Sequence, residues 1–340
     1  MPCYLLACSP NISGKPINFV LNSPRILFPS LSAKIGLYRA VLKQALLYNS
    51  ASTVVGVDSN PHCPASDSVD EFSLFPALTE LSDAQMVKEL KILGITHVLP
   101  TRDAELSFWS EKSRMLLSHG IKVWVSDLGY INCCLDKLNF YESWRDASIR
   151  PIQTKAEIEQ GTAIQSWVVK ERFGSASRGI GLGLNSEDAI RQGKTLIRPI
   201  FQPFVRGREF TAETWVSKNK KCHGVLLRWR TRVIDGESHE TEVFKNPVWE
   251  KLLSEFFLHI DGARGHLLAQ VLVDDEGDLH LIEINPRLGG ASPLSLAAGL
   301  NSIEWSLQEE AGTVESIPMF PEFKIGMKLI KRGGTQEIEP

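Results

Sequence analysis

The chain of 340 residues lacks an excess of charge of either sign. Its 37 Lys and Arg residues face 40 Asp and Glu residues, which gives a formal net charge of −3 at pH 7. Binding to nucleic acids needs a concentrated basic face, so this balance argues against nucleic acid and membrane surfaces as partners. The composition, with 43% hydrophobic and 23% charged residues, also argues against the disordered, collagen-like and coiled-coil classes. At about 150 residues per domain, the length predicts two or three domains.

Paired cysteines and long apolar runs are absent as well. No C-x-x-C pair occurs among the cysteines, which are Cys3, Cys8, Cys63, Cys133, Cys134 and Cys222. The spacing therefore fits neither a disulfide framework nor a zinc site, and it predicts reduced thiols in the cytoplasm. No apolar run approaches the roughly 20 residues that cross a bilayer. The short apolar start lacks the basic region of a signal peptide.

Two nucleotide-binding motifs and one catalytic motif are missing. Asp58 ends a β-branched strand and invites a dinucleotide hypothesis, but no G-x-G-x-x-G follows the preceding strand at 25–28. We therefore expect Asp58 to be a strand-end residue or a minor substrate contact. The glycine-rich loop at 174–183 lacks the G-K-[ST] ending of a P-loop. No nucleophile elbow is present, which argues against a hydrolase of the G-x-S-x-G type.

Strands and helices alternate over the first 130 residues. The predicted strands are 25–28, 53–57, 97–100 and 122–125, and the predicted helices are 34–48, 81–93 and 104–119. Such alternation predicts a parallel, doubly wound sheet. From about residue 127 the pattern changes to one helix and then a largely antiparallel series. The expected elements are helices 135–147, 186–193 and 247–259, strands 167–170, 197–205, 209–216 and 223–229, a hairpin of 266–273 with 279–284, and an edge strand near 323–330. The predicted fold class is α/β followed by α+β.

A predicted hairpin carries three oxygen-bearing side chains. Glu283 and Asn285 are two residues apart on a strand, so they share one face. If the turn covers 275–278, Gln270 lies opposite Glu283 and joins that face. Oxygen ligands suit Mg²⁺, which keeps waters and nucleotide phosphates as further ligands. A one-residue slip would turn Gln270 away, and a solvated hairpin face is the alternative, but Gln270 interrupts an apolar run and so favours metal binding.

Three further segments suggest ligand contacts. Lys170 ends a strand before the small residues of 174–179, a pattern that suits phosphate binding and equally a flexible hairpin tip. Around Pro203, Phe204 is placed to cover a base and Glu209 to reach a ribose, although this segment alone is no more than a turn. Arg228 and Arg230 alternate along a strand with Arg232. They share one face, which suits an anionic substrate or a solvated, salt-bridged surface.

In this order and spacing, the segments resemble an ATP-grasp enzyme. The resemblance is closest to the branch of the carbamoyl-phosphate synthetase large subunit and its single-module relatives, and it extends from about residue 25 to 312. Its most specific motif is Ile-Glu-Ile-Asn-Pro-Arg at 282–287. Val54 to Pro61 resembles the second strand of the leading domain, and Asp136-Lys137 resembles the entry to the grasp.

The resemblance implies an architecture and a set of site residues. It implies a doubly wound pre-ATP-grasp domain at 1–127, a small lobe with the phosphate loop at 128–205, and a C-terminal lobe with the metal site and tail at 206–340. The implied nucleotide ligands are Lys137, Lys170, Gly174, Ser175, Ala176, Ser177, Arg178, Gly179, Gln202, Phe204, Val205 and Glu209. The implied metal ligands are Gln270, Glu283 and Asn285. The implied catalytic residues are Lys170 and Arg287, and the implied substrate contacts are Arg228, Arg230, Arg287 and Gly290.

The activity implied is that of an ATP-dependent carboxylate–amine ligase that uses Mg²⁺ or Mn²⁺. Two departures from the family pattern are visible: Gln202 stands where many relatives have Glu, and 233–238 lacks a histidine before a Gly-Asp-Ser turn. The second departure weakens bicarbonate as substrate. A carbamoyl-phosphate-synthetase-like or carboxylase activity on bicarbonate stays open, as does a non-catalytic ATP sensor. The expected partners are small-molecule carboxylates and amines, with a homodimer as the default assembly.

Overall fold

Three β-sheets organise the chain. The computed structural model describes residues 23–159, 161–174, 179–259 and 261–340, and all structural statements below refer to these ranges. The sheets contain five, three and eight strands. The predicted fold class, α/β followed by α+β, is confirmed. The expected domain boundaries after 127 and 205 stay a prediction.

The five-stranded sheet is parallel and comes first in the chain. Its strands are β1 (Arg25–Phe28), β2 (Thr53–Asp58), β3 (Phe72–Leu74), β4 (His97–Val98) and β5 (Lys122–Val123), and its helices are α1 (Ile35–Tyr48), α2 (Asp83–Ile92) and α3 (Asp103–Ser118). The strand order is β3-β2-β1-β4-β5. Strand order reverses between β1 and β4, so the loops after these two strands diverge and open a crevice at the carboxyl edge of the sheet.

Local sequence explains the helix starts in this region. Ser82 precedes α2, and its hydroxyl accepts a hydrogen bond from the Gln85 N–H, while the Gln85 side chain accepts one from the Ser82 N–H. This reciprocal capping box satisfies two N–H groups that the first turn of a helix leaves unpaired. The predicted start of this helix is confirmed.

The single helix expected at 135–147 is wrong. The structure has two helices there, α4 (Leu128–Leu135) and α5 (Lys137–Trp144), separated by Asp136 in an extended conformation with φ −101° and ψ 99°. The Asp136 carboxylate accepts hydrogen bonds from the N–H groups of Leu138 and Asn139 and caps α5. Competition between side-chain capping and helix continuation therefore sets the break. The short strand β6 (Arg150–Pro151) follows.

The three-stranded sheet is antiparallel. It consists of β7 (Trp167–Glu171), β8 (Gly181–Leu184) and β9 (Pro199–Pro203) in the order β8-β7-β9, with helix α6 (Ser186–Gly193) against it. Its small core comprises Trp167, Val169, Ala189 and Phe201. The sheet carries Lys170 and ends at the segment that contains Phe204.

The eight-stranded sheet occupies most of the remaining chain. Its strands after β6 are β10 (Gly207–Val216), β11 (Cys222–Ile234), β12 (Glu237–Phe244), β13 (Gly265–Asp274), β14 (Leu279–Asn285), β15 (Lys328–Arg332) and β16 (Thr335–Glu339), and its helices are α7 (Pro247–Leu258), α8 (Ser292–Ala297) and α9 (Ser302–Glu310). The order is β16-β15-β12-β11-β10-β13-β14-β6. Sequence reasoning missed β12, because its side chains are mostly polar, and predicted one edge strand where β15 and β16 form a hairpin.

Helix α1 joins the parallel sheet to the eight-stranded sheet. The buried side chain of Gln44 donates hydrogen bonds to the carbonyl of Leu296, at 3.1 Å, and to Asn301 Oδ1, at 3.0 Å. Leu288 and Ile303 belong to the same hydrophobic cluster as the residues of α1. This packing sets the carboxyl edge of the parallel sheet against the end of β14.

An aromatic cluster holds α7 on the eight-stranded sheet. Phe210 is fully buried, and its ring stacks on that of Trp249 with centroids 5.1 Å apart. Trp229 stacks on Phe244 at 4.3 Å beside this pair. Stacked and edge-on aromatic pairs add to the free energy gained by burying their area.

Removing the Phe210 ring tests the importance of this cluster. We expect Phe210→Ala to lower the free energy of unfolding by about 3–5 kcal/mol, because the lost contacts leave a cavity. Leu117 is 58% exposed, so Leu117→Ala is the control and should change the free energy by less than about 0.5 kcal/mol. Urea unfolding followed by tryptophan fluorescence measures both, and equal effects would contradict the packing described.

Candidate functional site

A single large cleft lies where the three sheets approach one another. It encloses about 2530 Å³, and its walls include residues of the parallel sheet, the small sheet and the eight-stranded sheet. Pockets for one small ligand measure about 300–1,000 Å³. The cleft therefore has room for more than one ligand at a time.

The three predicted metal ligands lie together on the hairpin of β13 and β14. Gln270 is directly opposite Glu283, as predicted, but a β-bulge produces this register. Val271 pairs with Leu281, so Ile282 is the extra residue of the bulge. If the pairing near the turn continued without a bulge, Gln270 would face Ile282 instead of Glu283. Asn285 shares the face, and its amide nitrogen donates a hydrogen bond to Glu283 Oε1 at 2.9 Å.

The chemistry of these donors fits a hard divalent cation that arrives with a nucleotide. They offer one carboxylate, that of Glu283, and the amide oxygens of Gln270 and Asn285. No group of three His, Cys, Asp or Glu side chains is placed to hold a metal ion in the described part of the chain. One carboxylate alone attracts Mg²⁺ weakly, whereas phosphate oxygens complete the octahedral set that this ion requires.

Two lysines face Glu283 across the cleft. Burial lowers the pKa of Lys170 to about 8, although the charge of Glu283 opposes the shift. Burial also lowers the pKa of Lys137, again against the charge of Glu283. The ammonium group of Lys137 donates a hydrogen bond to the Gly174 carbonyl at 2.9 Å. Other carboxylates act on these lysines as well, among them Glu209 on Lys170. Ammonium groups in this setting suit phosphate oxygens, to which they donate charge-assisted hydrogen bonds.

The two glycines that bound the predicted phosphate loop are held by hydrogen bonds to their carbonyls. Gly174 has φ +144° and Gly179 has φ +68°, a region that favours glycine. The Gly179 carbonyl accepts a hydrogen bond from Gln192 Nε2 at 3.0 Å. Four residues predicted to contact phosphate lie outside the described residues: Ser175, Ala176, Ser177 and Arg178. Their roles stay a prediction.

Some polar groups of the predicted adenine hinge are already hydrogen-bonded within the protein, so fewer than expected can bind a base. The side chain of Gln202 is buried and donates to Thr154 Oγ1 at 2.8 Å. The Phe204 N–H donates to the Ser166 carbonyl at 2.8 Å. Within the described ranges, the Phe204 carbonyl and the Val205 N–H have no backbone partner. These two groups remain to bind the edge of a base, and the Phe204 ring lines the cleft beside them.

Glu209 and Arg230 contact each other. Arg230 Nε lies 2.9 Å from Glu209 Oε1, and neither buried atom forms a hydrogen bond within the described residues. Burial raises the pKa of Glu209, while the charge of Arg230 opposes that shift. The residue predicted to bind ribose and a residue predicted to bind substrate are therefore neighbours on one wall.

Arg228 borders the cleft, and two of its five N–H groups are engaged. Its Nε donates to Glu213 Oε1 at 2.8 Å, and its Nη1 donates to Thr241 Oγ1 at 3.3 Å. His266 Nε2 lies 3.0 Å from the other Glu213 oxygen. Although burial opposes ionisation, Arg228 and His266 hold the pKa of Glu213 at about 2. Only the remaining N–H groups of Arg228 are available to a ligand.

Arg287 is held by a residue that sequence reasoning missed. Its Nε donates to Asp103 Oδ1 at 2.6 Å, and its Nη2 donates to Asp103 Oδ2. Asp103 begins α3, just after the carboxyl end of β4. Charged residues after a parallel strand are candidates for a site, and this rule was the available signal for Asp103. Gly290 is exposed three residues beyond Arg287 and lines the cleft as expected.

Further cleft residues were also missed: Lys34, Thr101, Glu237, His239, Lys331 and Gln336. Lys34 and Thr101 follow strands of the parallel sheet, so the same strand-end rule was the available signal for them. Lys331 and Gln336 belong to the β15–β16 hairpin, which pairs with β12. No local pattern in the sequence links that hairpin to the cleft.

Comparison with known families identifies the central part of the chain. Residues 134–291 match the family described as the ATP-grasp domain. The matched region includes Lys137, Lys170, Glu209 and the whole donor set on β13 and β14. This part of the chain is therefore similar to the ATP-grasp domain.

Solved structures share the fold at low sequence identity. The biotin carboxylase domain of 2-oxoglutarate carboxylase from Hydrogenobacter thermophilus, solved with MgADP, ADP and bicarbonate, is 14% identical with a TM-score of 0.69; the alignment covers 90% of this chain and 73% of that one. N5-carboxyaminoimidazole synthetase from Staphylococcus aureus is 16% identical with a TM-score of 0.65, covering 90% and 82%. L-amino acid ligase from Bacillus licheniformis is 13% identical with a TM-score of 0.65, covering 90% and 78%.

Three further findings concern curated sequences, membrane helices and cysteines. No curated protein sequence matches the chain. Among the described helices, none is both long enough and apolar enough to cross a membrane. The cysteines within the described ranges, Cys63, Cys133, Cys134 and Cys222, are buried free thiols. Cys3 and Cys8 lie outside those ranges.

The lowered pKa of Lys170 predicts how nucleotide affinity depends on pH. Lys170 is charged below its pKa of about 8, and a bound phosphate favours the charged form. MgADP affinity should therefore fall as pH rises through 8, by at most about tenfold per pH unit. Calorimetric titration from pH 6.5 to 9.5 measures this slope.

Lys170→Arg and Lys34→Gln are the matched variants for this titration. The arginine stays charged throughout the pH range, so the slope should vanish in Lys170→Arg. Lys34 also has a pKa of about 8 but lies on another wall, so Lys34→Gln should keep the slope. A slope that survives in Lys170→Arg would remove Lys170 from the nucleotide site.

Proposed function

We propose that the protein is an ATP- and Mg²⁺-dependent ligase that activates a carboxylate as an acyl phosphate and joins it to an amine. One observation carries the proposal. The oxygen donors of β13 and β14 share one cleft with two lysines and with an arginine fixed by a carboxylate. This is the set of charges that phosphoryl transfer to a carboxylate requires.

The reaction divides into two balanced steps. A carboxylate oxygen of the substrate attacks the γ-phosphorus of ATP, the bond to the bridging oxygen breaks, and ADP leaves. The amine then attacks the acyl carbon, inorganic phosphate leaves, and the amine loses a proton. Both steps depend on positioning and on stabilising negative charge, rather than on a covalent enzyme intermediate.

Residues of the small sheet and of α5 hold the nucleotide in this proposal. Lys170 and Lys137 bind phosphate oxygens, and the 174–179 loop covers them. Phe204 and the Val205 N–H bind the base, and Glu209 binds the ribose. Gln270, Glu283 and Asn285 hold Mg²⁺, which neutralises phosphate charge when it is bound.

Arg287 acts on the transferred phosphoryl group or on the substrate carboxylate. Asp103 accepts two of its N–H groups, and the Leu288 carbonyl and Asn285 Oδ1 accept two more, at 3.1 and 3.4 Å. The guanidinium plane is therefore fixed, and one of its five N–H groups remains for the ligand. Asp103 is thus a positioning residue. Arg228, Arg230 and Gly290 line the same cleft and complete the acceptor side.

A coupled assay for ADP formation tests the proposal. MgATP or MnATP is incubated with pools of carboxylates, pools of amines, both together, or bicarbonate. ADP formation that needs both a carboxylate and an amine supports the ligase. ADP formation with bicarbonate supports a carboxylase-like activity instead. Tight MgATP binding without turnover in any pool would overturn the ligase in favour of an ATP sensor.

Glu283→Gln tests the metal donors. Glutamine keeps the shape but removes the single carboxylate of the set, so we expect ADP formation to fall by at least about 100-fold. The melting temperature should stay close to that of the wild type. Glu240→Gln is the control, because Glu240 pairs with Arg232 at the surface. Unchanged activity in Glu283→Gln would refute the metal assignment.

Asp103→Asn tests how Arg287 is held. Asparagine keeps one acceptor but loses the charge and the bidentate geometry. We expect kcat/KM for the carboxylate to fall about 10- to 100-fold, with MgADP affinity unchanged. Asp83→Asn, at the exposed ion pair with Lys112, is the control. A loss of nucleotide affinity instead would place Asp103 at the nucleotide rather than at the acceptor.

A further inference from the structure

One wall of the cleft carries a lysine for which the proposed reaction has no role. The ammonium group of Lys34 donates to the Ser30 carbonyl at 2.8 Å and to Thr101 Oγ1 at 3.0 Å. Both acceptors are neutral, and an ammonium group has three N–H bonds. Within the described residues Lys34 forms no ion pair, so one N–H remains for a ligand.

Within the described residues, the nearby carboxylates make no direct contact with Lys34, although the second Glu105 oxygen is buried without a hydrogen-bond partner. Glu105 Oε1 accepts the Ser30 hydroxyl. Asp58 accepts two backbone N–H groups, those of Ser32 and Asn60, each at 2.9 Å. Neither carboxylate therefore serves as the direct counterion of Lys34.

The other charges that act on Lys34 are positive. Arg287 and Arg102 both lower the pKa of Lys34, in addition to burial, which is the largest effect. Arg287 is neutralised by Asp103, whereas the Arg102 side chain is 63% exposed and lies 3.8 Å from Glu105. Glu105, the largest charge effect, and Asp58 act in the opposite direction, so the charges around Lys34 are mixed. What Lys34 lacks among the described residues is a direct counterion, which a bound anion would supply.

The position in the fold is one where ligands bind. Ser30 follows β1 and Thr101 follows β4, so Lys34 stands at the point where the strand order of the parallel sheet reverses. Open α/β sheets bind ligands in this crevice, at the carboxyl ends of their strands. Lys34 also lines the cleft.

The C-terminal hairpin of β15 and β16 encloses this end of the cleft. Gln336 Nε2 donates to the Gly290 carbonyl at 2.7 Å, and Lys331 pairs with Glu237 at 2.7 Å. Gln336 also packs on Gly36, two residues beyond Lys34, where a Cβ atom would lie 2.2 Å from Gln336 Oε1. The space between Lys34 and the hairpin is thus continuous with the acceptor side at Gly290.

We propose that the space between Lys34 and the C-terminal hairpin is a subsite for a second anionic group of the substrate, a carboxylate or a phosphate, and that Lys34 binds this group. The inference rests on the proposed function, because the ligase reaction defines the substrate and its first, reacting carboxylate. It narrows the substrate class to molecules that carry a further negative charge away from the reacting carboxylate.

Direct binding of simple anions tests the subsite without any turnover. Succinate and, separately, inorganic phosphate are titrated calorimetrically into the full chain with MgADP present at a fixed concentration. Lys34→Gln should weaken binding at least about tenfold, and Lys34→Arg should restore it to within about threefold of wild type. The control is Lys88→Gln on the exposed face of α2, which should have no effect.

Each outcome of these titrations either supports or refutes the subsite. Loss of succinate binding in Lys34→Gln assigns a carboxylate, and loss of phosphate binding alone assigns a phosphate. If neither titration depends on Lys34, the subsite is refuted. Equal losses in Lys34→Arg and Lys34→Gln, with melting temperatures unchanged, would also refute it, because both arginine and lysine carry the charge.

A pH profile adds a readout that a purely structural role of Lys34 would not move. Succinate stays ionised from pH 6.5 to 9.5, so its affinity reports the charge of the protein. Burial lowers the pKa of Lys34 to about 8, so wild-type affinity should fall above pH 8 and the Lys34→Arg profile should be flat. A falling profile in Lys34→Arg would assign the titration to another group and overturn the role of Lys34.

Failure of the subsite and failure of the ligase are distinguishable. If succinate and phosphate bind independently of Lys34 while a carboxylate and an amine release ADP, the subsite is wrong and the ligase stands. If anion binding depends on Lys34 while no pair of substrates releases ADP, the subsite stands and the ligase is wrong.

Discussion

The charge of Glu283 is the interaction on which the site depends. This single carboxylate acts on Lys137, Lys170 and Arg287, which come from a helix, from the small sheet and from the segment after β14. It favours the charged forms of both lysines, whose burial otherwise favours loss of the proton. These three cations come from distant segments of the chain and line the same cleft as the carboxylate.

Long-range contacts assemble this site. Asp103 and Arg287 are 184 residues apart in sequence and form a bidentate pair, which ties the parallel sheet to the end of β14. Gln44 of α1 likewise ties the parallel sheet to α8 and α9, because its side chain donates a hydrogen bond to the Leu296 carbonyl. Because the parallel sheet and the eight-stranded sheet are docked in this way, the crevice at the sheet edge and the nucleotide side form one cleft. At about 2530 Å³, this cleft has room for more than one ligand.

Sequence reasoning succeeded where the pattern is local and failed where a competing contact decides. The helix that begins after Ser82 and the alternation of the first strands with helices are visible along the chain. The break at Asp136 was missed, because its carboxylate prefers the N–H groups of the next helix and the guanidinium of Arg172, 36 residues away. Strand β12 was missed because its side chains are mostly polar, so no hydrophobic alternation indicates a strand there. Its pairing with β11 holds it in the sheet.

The donor set illustrates the division between sequence and structure. The sequence by itself determined which oxygen-bearing residues alternate on β14, since neighbouring side chains of a strand point to opposite faces. Only the tertiary structure decided that Gln270 meets Glu283, because the bulge at Ile282 sets the register through hydrogen bonds between strands. Likewise the sequence placed Lys34 just after a strand, whereas the packing of α1 against the C-terminal half brought it to the hairpin of β15 and β16. Local geometry follows from residue type, while the position of a charge relative to its partners follows from how distant segments pack.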